Sequence, residues 1–197
     1  MGAPHPCTSE APNGAVEKRP GVLLDRDGTI IVDAGFVGSV DRVQLIPGAA
    51  EAIASFNAAG LPVAVLTNQS GVARGFFGTD DVERVHSYLA ELLAESGAHV
   101  DLFLYCPYHP DGVVEEFARA SNDRKPKPGM AIAAAEALEL DLSRSWVVGD
   151  RPDDIGLAVA IGGRGVVVGQ PRRDIEGVPW FADLAAAAGF ILEAMGK

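Results

Sequence analysis

Residues 22–29 read Val-Leu-Leu-Asp-Arg-Asp-Gly-Thr, and this stretch decides the fold class. The three apolar residues at its start are typical of the end of a buried strand, and Gly28 then allows the chain to turn. Such a strand delivers Asp25 and Asp27 to its carboxyl edge, where open α/β sheets bind their ligands. Two carboxylates one residue apart suit a hard cation and a phosphoryl group, with one as nucleophile and the other handling protons. The same pattern also occurs in plain polar turns, so this stretch alone leaves both interpretations open.

The composition is that of a globular protein with a core of ordinary size. The chain has 197 residues, of which 48% are hydrophobic and 22% are charged, and these values suit one domain. The net charge of −11 argues against a nucleic-acid-binding surface. No apolar run is long enough to span a membrane, and two cysteines, Cys7 and Cys106, give no disulfide framework. We therefore expect a cytoplasmic protein, a monomer with no nucleic-acid or membrane partner.

Strand-like and helix-like segments alternate along the chain from residue 20 onward. Residues 1–19 are rich in Pro, Gly and polar residues, so we expect a disordered leader there, followed by a single domain over residues 20–197. The alternation predicts an α/β fold, a Rossmann-like parallel sheet with helices on both faces. No large cap domain is expected, because a flap, a helix and a strand largely fill the gap between Asp27 and Thr67. The predicted strands are 22–25, 61–66, 100–105, 146–149 and 166–168, and the predicted helices are 48–59, 79–96, 128–140, 154–161 and 181–195.

Three further polar segments lie at predicted strand ends or helix starts. Residues 67–71, Thr-Asn-Gln-Ser-Gly, offer a hydroxyl and successive backbone amides to an anion. Residues 124–129, Arg-Lys-Pro-Lys-Pro-Gly, supply cations on a stiff backbone, and residues 148–154, Val-Gly-Asp-Arg-Pro-Asp-Asp, form an acid-rich loop. Each segment has an ordinary alternative: a turn, a solvated basic face, and a helix cap by Asp153.

Together the four segments predict phosphoryl-transfer chemistry. Mg²⁺ between Asp25, Asp150 and a phosphate oxygen would offset the repulsion between a phosphate dianion and a carboxylate nucleophile. Thr67 and Lys125 would hold the remaining oxygens in line. Asp25 would attack phosphorus and form an aspartyl-phosphate, while Asp27 would protonate the leaving oxygen and then deprotonate the hydrolytic water. A receiver domain uses similar parts, but its phosphorylated Asp follows a later strand, and here Thr67 follows that strand instead.

The order of these motifs resembles the haloacid dehalogenase superfamily of phosphatases, over nearly the whole chain after residue 20. It is most similar to the subfamily of D-glycero-D-manno-heptose 1,7-bisphosphate phosphatases and histidinol-phosphate phosphatases. The segments that carry this similarity are residues 67–75, 106–110, 124–130 and 149–154. Within the first of them, Ser70 looks more like the heptose enzymes than the histidinol ones.

The resemblance implies a role for each site residue. Asp25 would be the nucleophile, Asp27 the acid/base and Asp150 a magnesium ligand, with Asp27 adding its backbone carbonyl to the metal. Thr67 and Lys125 would stabilise the phosphoryl group. The residues implied to contact the sugar phosphate are Asp33, Ala34, Gly35, Phe36, Asn68, Gln69, Ser70, Arg124 and Arg151.

The expected substrate is a small sugar phosphate, heptose 1,7-bisphosphate, losing its 1-phosphate. Histidinol phosphate or another small-molecule phosphate is the first alternative. The second is a phosphosugar-binding protein without activity, against which the intact Asp25 and Asp27 pair argues.

The chain departs from this subfamily in the loop formed by residues 106–127. The subfamily usually binds a structural zinc through Cys-x-His and then Cys-x-Cys, whereas this chain has Cys106, Tyr108, Ser121 and Asp123 at those positions. One thiolate, the adjacent His109 and one carboxylate could still bind zinc. We nevertheless expect no structural zinc, with Cys106 packing as a small apolar residue. The other histidines are expected to have structural roles only: His5, His86 and His99.

Overall fold

The computed structural model describes residues 17–170 and 177–197, and within them six strands and five α-helices follow one another. The strands are β1 (Val22–Leu24), β2 (Val63–Asn68), β3 (Leu102–Cys106), β4 (Trp146–Gly149), β5 (Arg164–Val168) and β6 (Trp180–Phe181). The helices are α1 (Ala49–Ala58), α2 (Thr79–Glu95), α3 (Gly129–Leu138), α4 (Pro152–Ala160) and α5 (Leu184–Ala194). Most of the leader expected at residues 1–19, with His5 and Cys7, lies outside the described residues. Arg19 is already tied to the fold, through backbone hydrogen bonds to Glu139 and Asp141.

All six strands join one parallel sheet in the order β3-β2-β1-β4-β5-β6. The chain moves outward from β1 to β3, then returns to the other side of β1 with β4. In doubly wound sheets, the crevice outside the carboxyl ends of the strands at such a reversal is where ligands bind. The predicted Rossmann-like α/β fold is therefore confirmed, and its reversal places the site at the ends of β1 and β4.

The core lies on both faces of the sheet, because alternate residues of a strand point to opposite sides. Val22 and Leu24 of β1 belong to an apolar cluster that also contains buried residues of α1, α2 and α5. Leu23 belongs to a second cluster with residues of α3 and α4. The helices on both faces hold β1 rigidly, and β1 in turn fixes the position of Asp25.

Two element boundaries differ from the sequence prediction for clear physical reasons. Strand β2 begins at Val63 rather than residue 61, since Pro62 has no N–H to donate, and it continues through Thr67 and Asn68. The last helix begins at Leu184 rather than residue 181. The side chain of Asp183 caps it by accepting from the Ala186 amide at 2.9 Å, and residues 180–181 pair with β5 as an edge strand.

The segment between Asp27 and β2 holds a flap and α1, and no cap domain occurs in this fully described stretch, as predicted. The flap contains a 3-10 turn at Val40–Arg42 and is closed by an antiparallel bridge between Ile31 and Leu45. Among the described residues, no helix combines the length and the apolar character needed to cross a bilayer.

Candidate active site

The carboxyl edge of the sheet collects polar side chains from separate parts of the chain. Asp25 follows β1 directly, and its amide donates to the Val148 carbonyl of β4 at 2.9 Å. Thr67 lies near the end of β2, and Asp150 follows β4. The loop before α3 brings Lys125 to the same edge. All four lie where the alternation of strands and polar segments predicted a site.

Lys125 is buried and forms two short ion pairs. Its Nζ lies 2.6 Å from Asp25 Oδ1 and 2.7 Å from Asp154 Oδ1. Burial alone would lower the pKa of Lys125, but the carboxylates of Asp154 and Asp25 raise it above its ordinary value. The ammonium therefore stays charged beside Asp25, where it can attract an anionic phosphoryl group.

Asp154, which the sequence analysis did not include in the site, anchors this pair to the start of α4. Its Oδ2 accepts from the Arg151 amide at 3.0 Å, in the first turn of the helix. The signal in the sequence is Gly149, since a Cβ at that position would collide with the Asp154 side chain. A glycine at the end of β4 is thus needed for Asp154 to reach Lys125.

Asp25, Asp150 and Asp154 form a group that could hold a metal ion, with one ligand oxygen of each within 4.8 Å of the others. Oδ1 of Asp150 is buried and has no hydrogen-bond partner among the described residues. Burial and the neighbouring charges of Asp25 and Asp154 raise the pKa of Asp150 to about 7. A bound cation would relieve this repulsion and supply the missing partner for the Asp150 oxygen. Gly28, with a φ of +86°, keeps the approach to Asp150 open, because a Cβ there would lie 2.7 Å from its carboxyl group.

Asp27 also lines the cleft and is held by Thr67, Gln69 and Arg26, with Thr67 Oγ1 donating to Asp27 Oδ2 at 3.5 Å. Gln69 Nε2 donates to Asp27 Oδ2 at 2.8 Å and to Thr67 Oγ1 at 2.8 Å. Arg26, fully buried, donates from Nε and Nη2 to the two Asp27 oxygens at 3.1 and 3.2 Å, and from Nη2 to the Val37 carbonyl at 3.0 Å. Burial raises the pKa of Asp27, against the opposing charge of Arg26, and a raised pKa favours a group that must give and take a proton.

The flap forms one wall of a cleft of about 420 Å³ above these residues. Asp33 on the flap pairs with Arg151 after β4, with Arg151 Nη2 2.6 Å from Asp33 Oδ2. Arg42 donates to the carbonyls of three successive flap residues, 34–36. The Phe36 ring meets the Phe76 ring edge-on, with centroids 4.8 Å apart.

The opposite wall of the cleft is basic. Arg74, His109 and Arg124 line it, with Arg74 Nη2 3.4 Å from His109 Nε2. Nε of Arg74 and Nη1 of Arg124 are buried and without hydrogen-bond partners in the described part of the chain. Burial and the charges of Arg124 and Arg74 lower the pKa of His109, which favours its neutral form. The positive charge of this wall therefore comes from the two guanidinium groups that line the cleft.

The structure brings together nearly all of the residues that the sequence analysis assigned to the site. Ala34 is the exception, because it does not line the cleft and contributes a carbonyl to Arg42 instead. Asp150 lies in the acidic group beneath the cleft. The predicted residues that line the cleft are Asp25, Asp27, Asp33, Gly35, Phe36, Thr67, Asn68, Gln69, Ser70, Arg124, Lys125 and Arg151. Sequence reasoning missed Arg26, Arg74, His109 and Asp154 as parts of the site.

The site has the features expected of a phosphatase. A carboxylate lies beside a fixed ammonium, a group of three aspartates can bind a cation, and a second carboxyl group can transfer protons. A family model described as HAD-hydrolase-like matches residues 122–178. The D-glycero-β-D-manno-heptose-1,7-bisphosphate 7-phosphatase of Rhodopseudomonas palustris is 42% identical over 145 residues, 74% of this chain and 81% of that protein. The Salmonella typhi protein of the same name is 37% identical over 176 residues, 89% of this chain and 91% of that protein.

A crystal structure of a D,D-heptose 1,7-bisphosphate phosphatase from B. bronchiseptica, complexed with magnesium and phosphate, has the same fold. Its TM-score is 0.77 at 34% identity, covering 89% of this chain and 99% of that one. The chain belongs to the haloacid dehalogenase superfamily of phosphatases. The resemblance to its heptose bisphosphate branch, predicted from four ordered motifs, is confirmed.

Proposed function

We propose that this phosphatase uses Mg²⁺ to hydrolyse D-glycero-β-D-manno-heptose 1,7-bisphosphate through an aspartyl-phosphate on Asp25. One observation carries the chemistry. Asp25 is buried at the end of β1, with Lys125 Nζ 2.6 Å from its Oδ1 and with oxygens of Asp150 and Asp154 within 4.8 Å. A carboxylate in this position suits attack on a phosphate dianion, because the ammonium and a cation bound by the aspartates would offset the negative charges.

The metal chemistry rests on the acidic group. Asp25, Asp150 and Asp154 would supply carboxylate oxygens, and the Asp27 backbone carbonyl would add another, a donor set that suits Mg²⁺. Bound there, Mg²⁺ would offset the repulsion between the phosphate and Asp25. Oδ1 of Asp150 supports this assignment, since it has no hydrogen-bond partner in the described part of the chain and the Arg151 Nε lies 3.9 Å away.

Residues of the chain perform both steps of the reaction, formation of the aspartyl-phosphate and its hydrolysis. In the first, an Asp25 oxygen bonds to phosphorus, the ester P–O bond breaks, and Asp27 gives its proton to the leaving oxygen. In the second, water gives a proton to Asp27 and attacks phosphorus, and the Asp25–phosphorus bond breaks to release inorganic phosphate. Lys125 and Thr67 hold the non-bridging oxygens during both steps. Arg26 and Gln69 keep the Asp27 carboxyl group oriented toward the reacting oxygen.

The basic wall supports a substrate with a second anionic group. Arg74 and Arg124 have buried guanidinium nitrogens without partners among the described residues, and a buried donor of this kind is stabilised by an anion. A distal phosphate fits this requirement, because its anionic oxygens accept charge-assisted hydrogen bonds from guanidinium groups. The flap residues Asp33 and Phe36, with Arg151, would then surround the sugar between the two phosphates.

The relatives are named 7-phosphatases, so we propose release of the 7-phosphate. This departs from the 1-phosphate expected in the sequence analysis. Both groups are phosphate monoesters with the same charge, so the residue types of the site do not distinguish them. The cytoplasmic location and the monomeric state expected from the sequence stay predictions.

The products of one reaction test the proposal. The protein is incubated with heptose 1,7-bisphosphate and Mg²⁺, and ³¹P NMR follows the two ester signals and inorganic phosphate. We expect loss of the C7 phosphate signal, with the C1 signal retained, and no turnover without Mg²⁺. Histidinol phosphate, treated in parallel, should be hydrolysed far more slowly. Faster hydrolysis of histidinol phosphate, or turnover in the absence of divalent metal, would contradict the proposal.

A further inference from the structure

The loop between β3 and α3, residues 107–128, carries Arg124 and Lys125 to the cleft and has no helix or strand of its own. Part of it is docked on the turn after β2. The amides of Val113 and Val114 both donate to the Ala73 carbonyl, at 2.7 and 3.0 Å. These bonds fix the middle of the loop, and its start follows Cys106, whose carbonyl accepts from the Gln69 amide at 2.8 Å.

Two of the four positions that hold zinc in the resembling subfamily are bonded to each other in this chain. Ser121 and Asp123 are bonded to each other, since Ser121 Oγ donates to Asp123 Oδ2 at 3.0 Å and accepts from the Asp123 amide at 3.0 Å. The buried Cys106 Sγ lies 3.9 Å from the Tyr108 carbonyl. Across the described residues, Cys106 belongs to no metal-capable group, and the group that qualifies is Asp25, Asp150 and Asp154.

The adjacent imidazole does not complete a zinc site either. His109 Nδ1 accepts from the Asp111 amide at 3.1 Å, and its Nε2 faces Arg74 Nη2 at 3.4 Å. Nδ1 is therefore engaged by the chain, and a neutral ring then carries its proton on Nε2, beside a guanidinium group that would repel a metal cation.

Tyr108 stands where the subfamily has a metal-binding histidine, and its ring contacts other side chains of the loop and the core. Its ring packs against the apolar cluster beneath α3. The Arg119 guanidinium carbon lies 4.1 Å from the ring centroid, and the Phe117 ring centroid lies 5.8 Å away. A cation over the face of an aromatic ring is attracted by the ring's quadrupole. Arg119 also donates its amide to the Phe117 carbonyl at 2.9 Å.

We propose that Tyr108 and Arg119 anchor this loop in place of a metal ion, and that they are positioning residues for Arg124 and Lys125. Tyr108 fixes the start of the loop to the core, and Arg119 folds the later part of the loop back onto the Tyr108 ring. The step from loop order to turnover rests on the proposed function, whereas the anchoring itself does not.

The first test concerns metal content. The protein is dialysed against EDTA and then returned to Mg²⁺, and its zinc content and thermal unfolding are compared before and after. We expect well under about 0.1 zinc ions per chain and an unchanged midpoint of unfolding, because no metal is coupled to folding. About one zinc ion per chain, with a midpoint that falls on chelation and recovers with zinc alone, would overturn the proposal.

The second test uses Arg119, which is exposed and can be replaced without opening the core. Arg119→Met should speed proteolytic cleavage within residues 107–128 by about fivefold, because local opening becomes easier. Its kcat on p-nitrophenyl phosphate should fall severalfold with little change in KM, and Arg119→Lys should recover most of both. The matched control is Arg164→Met, which removes a guanidinium 5.2 Å from the Trp146 ring and should leave both readouts as in the wild type.

Cleavage of Arg119→Met at the wild-type rate would overturn the anchoring role. Faster cleavage with unchanged kcat would overturn the positioning role. If the wild type had no phosphatase activity, the proposed function would fail while the cleavage assay still tested the anchor.

Discussion

The side-chain amide of Asn68 holds the backbone of Lys125 at both of its polar groups. Asn68 Nδ2 donates to the Lys125 carbonyl at 3.1 Å, and Asn68 Oδ1 accepts from the Lys125 amide at 3.0 Å. The end of β2 thereby fixes the residue whose ammonium lies 2.6 Å from Asp25. The resemblance implied that Asn68 contacts the substrate, and this geometry leads us to expect that it acts through Lys125.

Asn68→Ala should lower kcat on p-nitrophenyl phosphate by roughly 5- to 150-fold. The variant loses two part-buried hydrogen bonds that together contribute about 1–3 kcal/mol to holding Lys125 in place. KM should change less, because a displaced Lys125 weakens contacts to the transition state most. The chain offers a matched control in Asn57, which holds the His99 backbone with the same pair of bonds, at 3.1 and 2.9 Å, away from the site. Asn57→Ala should keep wild-type kcat, and equal losses in the two variants would refute the role of Asn68.

Asp154→Asn should weaken both the ion-pair network and the metal group. The variant removes one of the two carboxylates on Lys125 and one charge from the acidic group. We expect the Mg²⁺ concentration for half-maximal activity to rise roughly tenfold or more. The free energy of unfolding should fall by only about 1 kcal/mol, because the bond to the buried ammonium weakens while Lys125 keeps Asp25 as its counter-charge. Titration of activity with Mg²⁺ and chemical denaturation measure the two effects. Asp183→Asn, which keeps the cap of α5 while removing a charge, should show neither, and an unaltered Mg²⁺ requirement in Asp154→Asn would exclude Asp154 from the metal group.

Lys125 and Arg124 are neighbours in sequence with different expected roles. Lys125→Ala should lower kcat on every substrate, because charge that develops at phosphorus is common to all of them. Arg124→Ala should spare an aryl phosphate and penalise heptose bisphosphate by about 2 kcal/mol, the value of a charge-assisted hydrogen bond. The comparison requires kcat/KM for both variants on both substrates. Equal losses for Arg124→Ala on the two substrates would place Arg124 at the reaction centre instead.

His86 should make stability depend on pH. Its ring is buried against Phe103, with centroids 5.0 Å apart, and burial together with the charge of Arg26 lowers its pKa to about 3. The unfolded chain takes up this proton near pH 6.5, so the free energy of unfolding should fall as the pH drops from about 6.5 toward 3, by up to about 1.4 kcal/mol per pH unit. His86→Phe should lack this component between pH 7 and pH 5, as measured by urea denaturation. His99→Phe, at a more exposed histidine, is the control, and parallel curves for the wild type and His86→Phe would contradict the assignment.

The sequence predicted the residues whose position follows from local structure. Asp25 and Asp150 directly follow strands, and Thr67 lies at the end of one, so their common edge could be inferred from the alternation of elements. Lys125 could be placed because it leads into a helix at the same edge. The parallel direction of the strands followed from the same alternation, whereas their order in the sheet was not predicted.

Other parts of the site depend on how distant segments meet. Asp154 reaches Lys125 only because Gly149 leaves room, and Arg74 faces Arg124 only after the long loop docks on the turn after β2. An amide side chain such as Asn68 carries no local sign of whether it will bind a ligand or the chain. Strand β6 is two residues long, too short for an alternating pattern, and its second residue, Phe181, falls within the predicted last helix.

The activity of Asp25→Asn tests the central claim, covalent catalysis by Asp25, most directly. The amide is nearly isosteric with the carboxylate but cannot form the aspartyl-phosphate, so kcat with heptose bisphosphate and Mg²⁺ should fall by at least about a thousandfold. The same sample must show a cooperative thermal transition, since the substitution also removes an ion pair with Lys125. A folded Asp25→Asn protein that retains more than about a tenth of the wild-type kcat would show that another group attacks phosphorus.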